Sequence, residues 1–115
     1  MNATQSSTEL PEVIATYQNA HDRRDTDTAL SAFSADARVY DEDREYRGTD
    51  AIRDWLTHAA AEFTYTRTLT GAERLADGAW IVLNRVEGDF PGGVADLRYR
   101  FVLSDGKIAD LAITP

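Results

Sequence analysis

Apolar residues recur along this chain with two different periods, and the change from one to the other marks the architecture. Leu10, Val13, Ile14, Tyr17 and His21 fall three and four apart, the stripe of an amphipathic helix. Ser7 or Thr8 is expected to cap that helix, with Glu9 and Glu12 set against the positive end of its dipole and Pro11 in the first turn. Asp22-Arg23-Arg24-Asp25 interrupts the pattern. Asp25 or Thr26 then caps a short second helix whose Leu30 and Phe33 bury one side. A loop at Ser34-Ala35-Asp36 leads into a strand over Ala37–Asp41, with Val39 and Asp41 on one face and Arg38 and Tyr40 on the other. A charged connection precedes a short strand, Glu45–Arg47, which ends at Gly48. Thr49 caps a third helix, and Ile52, Trp55, Leu56, Ala59 and Phe63 form its buried stripe.

From Phe63 the period becomes two. Thr64, Thr66, Thr68 and Thr70 alternate with Tyr65, Arg67 and Leu69, a strand with one threonine face. Asp77-Gly78 turns it into three further antiparallel strands, Ala79–Gly88, Val94–Ser104 and Lys107–Thr114, joined through Asp89–Gly93 and Asp105-Gly106. In the middle one, Leu97, Tyr99, Phe101 and Leu103 point one way, Arg98 and Arg100 the other. A hairpin centred between Pro91 and Gly92 sets Val82 opposite Phe101, Asn84 opposite Tyr99 and Val86 opposite Leu97; a half-residue slip would bring Leu83 and Arg85 beside Tyr99 instead. Helices that precede an antiparallel sheet imply an α+β fold in which a curved sheet wraps the helices as a cone, and the open end of a cone is a pocket.

The length of 115 residues allows one domain: a disordered tail over residues 1–8 and a single folded unit over residues 9–115 are expected. The formal charge is −8, with basic residues scattered rather than clustered, so nucleic acid and anionic membrane are poor partners. No run approaches the roughly 20 apolar residues of a membrane span, and Met1–Thr8 lacks the features of a signal peptide, so a cytoplasmic protein is expected. Cysteine is absent, and neither His21 nor His58 has a second ligand at a metal-binding spacing. Gly92-Gly93 belongs to a hairpin rather than a phosphate loop. No metal or other cofactor is therefore expected.

Three stretches are similar to the nuclear transport factor 2-like superfamily, which includes ketosteroid isomerase, scytalone dehydratase and the SnoaL-like polyketide cyclases. They are Tyr17 followed by Asp22-Arg23-Arg24-Asp25, then Tyr46-Arg47-Gly48-Thr49-Asp50-Ala51-Ile52-Arg53, then Tyr99-Arg100-Phe101 followed by Asp105-Gly106-Lys107-Ile108. The resemblance implies a cystatin-like α+β barrel. It also implies roles: Tyr17 resembles the oxyanion-hole tyrosine of the isomerases, and Asp41 resembles their general base. Leu97 stands where those isomerases keep a protonated aspartate, and Asp96 beside it points to the opposite face.

Val39, Trp55, Asn84, Leu97 and Tyr99 are the expected pocket wall around Asp41 and Tyr17, and the expected ligand is a small hydrophobic molecule. Each has a plainer reading. In it Asp41 simply opens an acidic turn, Tyr17 and Trp55 pack a core, and Asn84 and Tyr99 satisfy interior hydrogen bonds. His21 is either a proton carrier at the pocket mouth or a helix-end histidine favoured by the dipole. Arg85, Arg98 and Arg100 share the outer sheet face with Glu87 and Asp96, a mixed-charge surface able to pair with itself across a twofold axis, so a homodimer is expected. Acid–base catalysis on a hydrophobic carbonyl compound, non-catalytic ligand binding and a dimerisation or protein-interaction module all remain open.

Overall fold

The computed structural model describes residues 10–62 and 64–115. Their order is α1 (Glu12–Asp22), α2 (Thr26–Ser31), β1 (Phe33–Asp41), β2 (Arg44–Arg47), α3 (Thr49–Glu62), β3 (Tyr65–Arg74), β4 (Trp80–Gly88), β5 (Val94–Ser104) and β6 (Lys107–Thr114). The strands form one six-stranded sheet in the order β2-β1-β6-β5-β4-β3. Only β1 and β6 run parallel; every other neighbouring pair is antiparallel. The fold is α+β, and the curved, open sheet carries the helices on one face.

Burial follows the two periods. On α1, Ile14 and Tyr17 are buried, with Leu10 and Val13 packed against them; on α3, Ile52, Trp55 and Leu56 are buried. They meet Val82, Tyr99, Phe101, Leu111 and Ile113 of the sheet in one apolar core. Removing that surface from water is the main force joining helices to sheet. Ala59 and Phe63, the rest of the α3 stripe, lie outside the described side chains, as do the expected cap residues Ser7 and Thr8 and the tail over residues 1–8.

Several boundaries differ from the pattern. Among the described residues α1 begins at Glu12, with Pro11 in the capping position, its extended backbone (φ −51, ψ 140) offering its carbonyl to the N–H groups of Ile14 and Ala15. Proline restricts the residue before it away from helix, so the turn cannot include Leu10. Asp25 caps α2 as expected, accepting from the Thr28 N–H at 3.2 Å. Thr49 is the first helical residue of α3 rather than its cap, because the Gly48 carbonyl already accepts from Ile52.

The expected loop Ser34–Asp36 lies inside β1. It is an irregular stretch between the Phe33–Ile108 and Arg38–Asp110 pairs, where β1 slips against β6. β3 continues past Thr70 to Arg74 through a comparable irregularity between Leu69 and Gly71.

The β4–β5 hairpin turns one residue earlier than the symmetrical reading. Gly93, at φ +73, reverses the chain so that its carbonyl accepts from the Gly88 N–H, which centres the hairpin between Phe90 and Pro91. Val82 therefore faces Tyr99 and Asn84 faces Leu97, in place of the expected Phe101 and Tyr99. A whole-residue move of the centre slides the strands by two and leaves every side chain on its expected face.

Candidate active site

The C-terminal half of α1 lies over the open end of the sheet, and the space between them is a cavity of about 460 Å³. Tyr17 and His21, one helical turn apart, form its roof. Leu97 and Tyr99 of β5, Val86 of β4 and Ile113 of β6 form its floor. Asp41, the last residue of β1, stands on one side with Glu42 and Trp55; Tyr65, the first residue of β3, closes the other, and Phe90 and Pro91 of the hairpin tip reach the rim.

Two hydrogen bonds organise the polar groups. The Trp55 indole N–H donates to Asp41 Oδ2 at 3.1 Å. The Tyr65 hydroxyl lies 3.1 Å from His21 Nε2, the tautomer of the imidazole deciding which of the two donates. The His21 ring is stacked between two neighbours: Tyr17, with ring centroids 6.0 Å apart and planes 8° apart, and Trp55, at 6.2 Å and 14°. Tyr17 also packs edge-on against Phe33 and Phe101.

Desolvation dominates the proton affinities. Burial raises Tyr17 well above the ordinary range, and the nearby oxygens of Tyr99, Tyr65 and Asp41 push the same way. Tyr99 is raised by burial, then by Tyr65 and Asp41, and Tyr65 is raised by burial and Asp22. These phenols therefore stay protonated and act as donors. Burial lowers His21 below its ordinary value of 6.5, against the opposing pull of Asp22, so the imidazole is neutral at pH 7.

Behind this wall sits a charged network. Arg67, with a side chain only 12 % exposed, donates to both carboxylate oxygens of Asp22, to Gln18 Oε1 at 3.3 Å and to Asn84 Oδ1 at 2.9 Å. A guanidinium can only donate, so both amides must turn their oxygens toward it, and the buried Gln18 Nε2 and Asn84 Nδ2 are left without partners among the described residues.

The structure brings Asp41, Tyr17, Trp55, Leu97 and Tyr99 to one cavity. Val39 and Asn84 do not line it. Val39 is fully buried beneath the wall, and Asn84 is held back by Arg67, the plainer interior-bonding reading of that residue. Tyr65, Glu42, Phe90 and Pro91 escaped sequence reasoning. Tyr65 had a signal, since its alternation with the threonines places it on the inner face, but that strand carried no recognisable motif. His21 reaches the cavity as one of its two sequence readings proposed.

Other cavities lie among the described residues. One of about 350 Å³ lies across the Asp41–Trp55 wall and includes Arg44, Tyr46, Asp54 and His58. A larger one of about 630 Å³ lies toward the N-terminal end of α1, beside Trp80 and the Arg100–Asp77 ion pair. Its only carboxylate, Asp77, is taken up by Arg100 and no tyrosine lines it, so the aromatic cavity around Asp41 is the candidate site. Among the described residues no group of His, Asp and Glu side chains is placed to hold a metal ion.

A helix-bearing curved sheet with a phenol- and carboxylate-lined cavity at its open end is the architecture of the nuclear transport factor 2-like, ketosteroid isomerase-like proteins. Within that class the chain belongs to the SnoaL-like domain family, whose model matches residues 13–111. A solved structure from Sinorhizobium meliloti, described as a candidate polyketide cyclase, is 33% identical over 91% of this chain and 95% of its own, with a TM-score of 0.86. An epoxide hydrolase/cyclase-like enzyme of pyran ring formation in the polyether salinomycin superposes with a TM-score of 0.77 at 20% identity, covering 89% of this chain and 86% of its own. A protein of ketosteroid isomerase-like fold from Catenulispora acidiphila, in complex with trimethylamine, superposes at 0.80 with 17% identity, covering 93% of this chain and 87% of its own. No curated protein matches the chain.

Proposed function

We propose that this protein moves a proton on a small hydrophobic carbonyl compound, as an isomerase or cyclase does. One observation carries the reading: a carboxylate fixed by an indole N–H stands in an aromatic cavity beside protonated phenols. In the reaction Asp41 takes a proton from a carbon next to the carbonyl, the bonding electrons move to the carbonyl oxygen, and the enolate so formed is stabilised by tyrosine hydroxyls, Tyr17 among them. Asp41 then returns the proton to the same or a neighbouring carbon. The description of the S. meliloti relative as a candidate polyketide cyclase and the ring-forming chemistry of the salinomycin enzyme both support this assignment without fixing the compound.

The test uses 2-tetralone, a two-ring ketone small enough for the cavity, in heavy water. The protein is expected to accelerate deuterium entry beside the carbonyl, followed by proton NMR, and Asp41→Asn to lower that rate by about 100-fold or more with the fold intact. Equal exchange in the two proteins would refute the role of Asp41. Thermal stabilisation by the ketone that survives Asp41→Asn, with no exchange in either protein, would instead mark a binding protein.

A further inference from the structure

We propose that Tyr65 is the group that hydrogen-bonds the ligand's oxygen opposite Asp41, and that His21 is the residue that positions it. This deepens the acid–base reading of the cavity and rests on it for the meaning of Asp41. The hydroxyl of Tyr65 and the imidazole of His21 are 3.1 Å apart and both border the cavity. His21 stacks on Trp55, and Trp55 in turn holds the Asp41 carboxylate at 3.1 Å. The carboxylate and the Tyr65 phenol are thus attached to two ends of one aromatic array drawn from β1, α3, α1 and β3. Both side chains are held in place before a ligand enters, so the shared proton of Tyr65 and His21 is the part that adjusts, and such preorganisation is the condition for strong stabilisation of developing charge.

The phenol has one proton to give. When it donates to a ligand oxygen it must accept from His21, so Nε2 carries the hydrogen and Nδ1 is bare. When it donates to His21, Nε2 is bare and the ligand oxygen gains nothing. Ligand recognition and the His21 tautomer are therefore linked, and the proposal selects the Nε2–H form in the complex. The ligand class that satisfies this array is an apolar ring compound whose carbonyl or enolate oxygen accepts.

The experiment compares 2-tetralone with tetralin, which has the same two rings without the oxygen. The intact protein is expected to bind the ketone about tenfold more tightly than the hydrocarbon. Tyr65→Phe is expected to bring the two dissociation constants together while leaving that of tetralin unchanged. His21→Phe, which keeps the ring stack and removes the nitrogen, is expected to do the same in part. Nitrogen-15 NMR of histidine should show the Nε2–H tautomer of His21 with the ketone bound and no such change with tetralin.

Retention of the preference in Tyr65→Phe, its loss in Tyr17→Phe alone, an Nδ1–H imidazole in the ketone complex, or binding of neither probe would overturn the proposal. The Kd ratio and the tautomer are read without turnover. Failure of Asp41-dependent exchange therefore leaves these outcomes standing, and the two readings fail separately.

Discussion

A carboxylate is useful at the mouth of an apolar cavity only if its orientation is fixed, and Trp55 supplies that restraint. Replacing Trp55 by Phe keeps an aromatic ring in the stack but removes the N–H that Asp41 accepts. The expected result is a loss of about 1–2 kcal/mol in chemical unfolding together with slower exchange on 2-tetralone; exchange at the full rate would show that Asp41 needs no such anchor. His21 sets a pH limit. Its proton affinity is lowered in the folded protein, so the unfolded chain binds the extra proton more readily. The stability it contributes is complete above 6.5, its ordinary value, and is lost as pH falls from there toward the lowered folded value. Melting temperatures of the native protein should therefore decline across that window, and His21→Phe should flatten the decline. Parallel profiles would place the proton elsewhere.

At the scale of elements, the position of Tyr65 depends on how closely β3 approaches β4. Gly88 pairs with Tyr65, and a Cβ there would lie 2.6 Å from Tyr65 Cβ and against the Thr64 carbonyl. Its backbone angles are ordinary, so the constraint is space rather than conformation. Gly88→Ala is expected to cost about 1–3 kcal/mol and to displace the start of β3, weakening ketone binding more than Asp41 chemistry in the rest of the cavity. Crystals of the variant with Tyr65 unmoved would contradict this. Alternation alone assigned the faces of β5, because Leu97, Tyr99 and Phe101 must all leave water on one side. The same logic survived the wrong hairpin centre, since a two-residue slide preserves parity. The partners across the sheet did not follow from it, because they depend on the conformation of Gly93.

Across the whole molecule, Arg67 joins α1 to β3 and β4 through Asp22, Gln18 and Asn84. Removing it strands a carboxylate and two buried amide oxygens. Arg67→Met is expected to lower stability by about 2–4 kcal/mol, and Arg67→Met with Asp22→Asn to recover part of the loss; a neutral single change in urea unfolding would refute the network's importance.

The outer sheet face carries the Arg85–Asp96 pair beside Leu83, 42% exposed, and Val94, 51% exposed. It is expected to pair with a second copy of the chain. Light scattering should then report a dimer that Leu83→Lys disrupts, and a monomer at high concentration would remove the idea. No described helix is long and apolar enough to cross a membrane.

The sequence by itself determined the elements and their faces, since helical and strand periods are local consequences of which side chains avoid water. It also named Asp41 and Tyr17, through the order of elements they occupy and the resemblance those elements carry. Only the tertiary structure decided that Tyr65 and His21 join them and that Asn84 and Val39 do not. Those outcomes depend on the sheet's curvature and on contacts between residues such as His21 and Tyr65, far apart along the chain, and local periodicity contains no information about such distances.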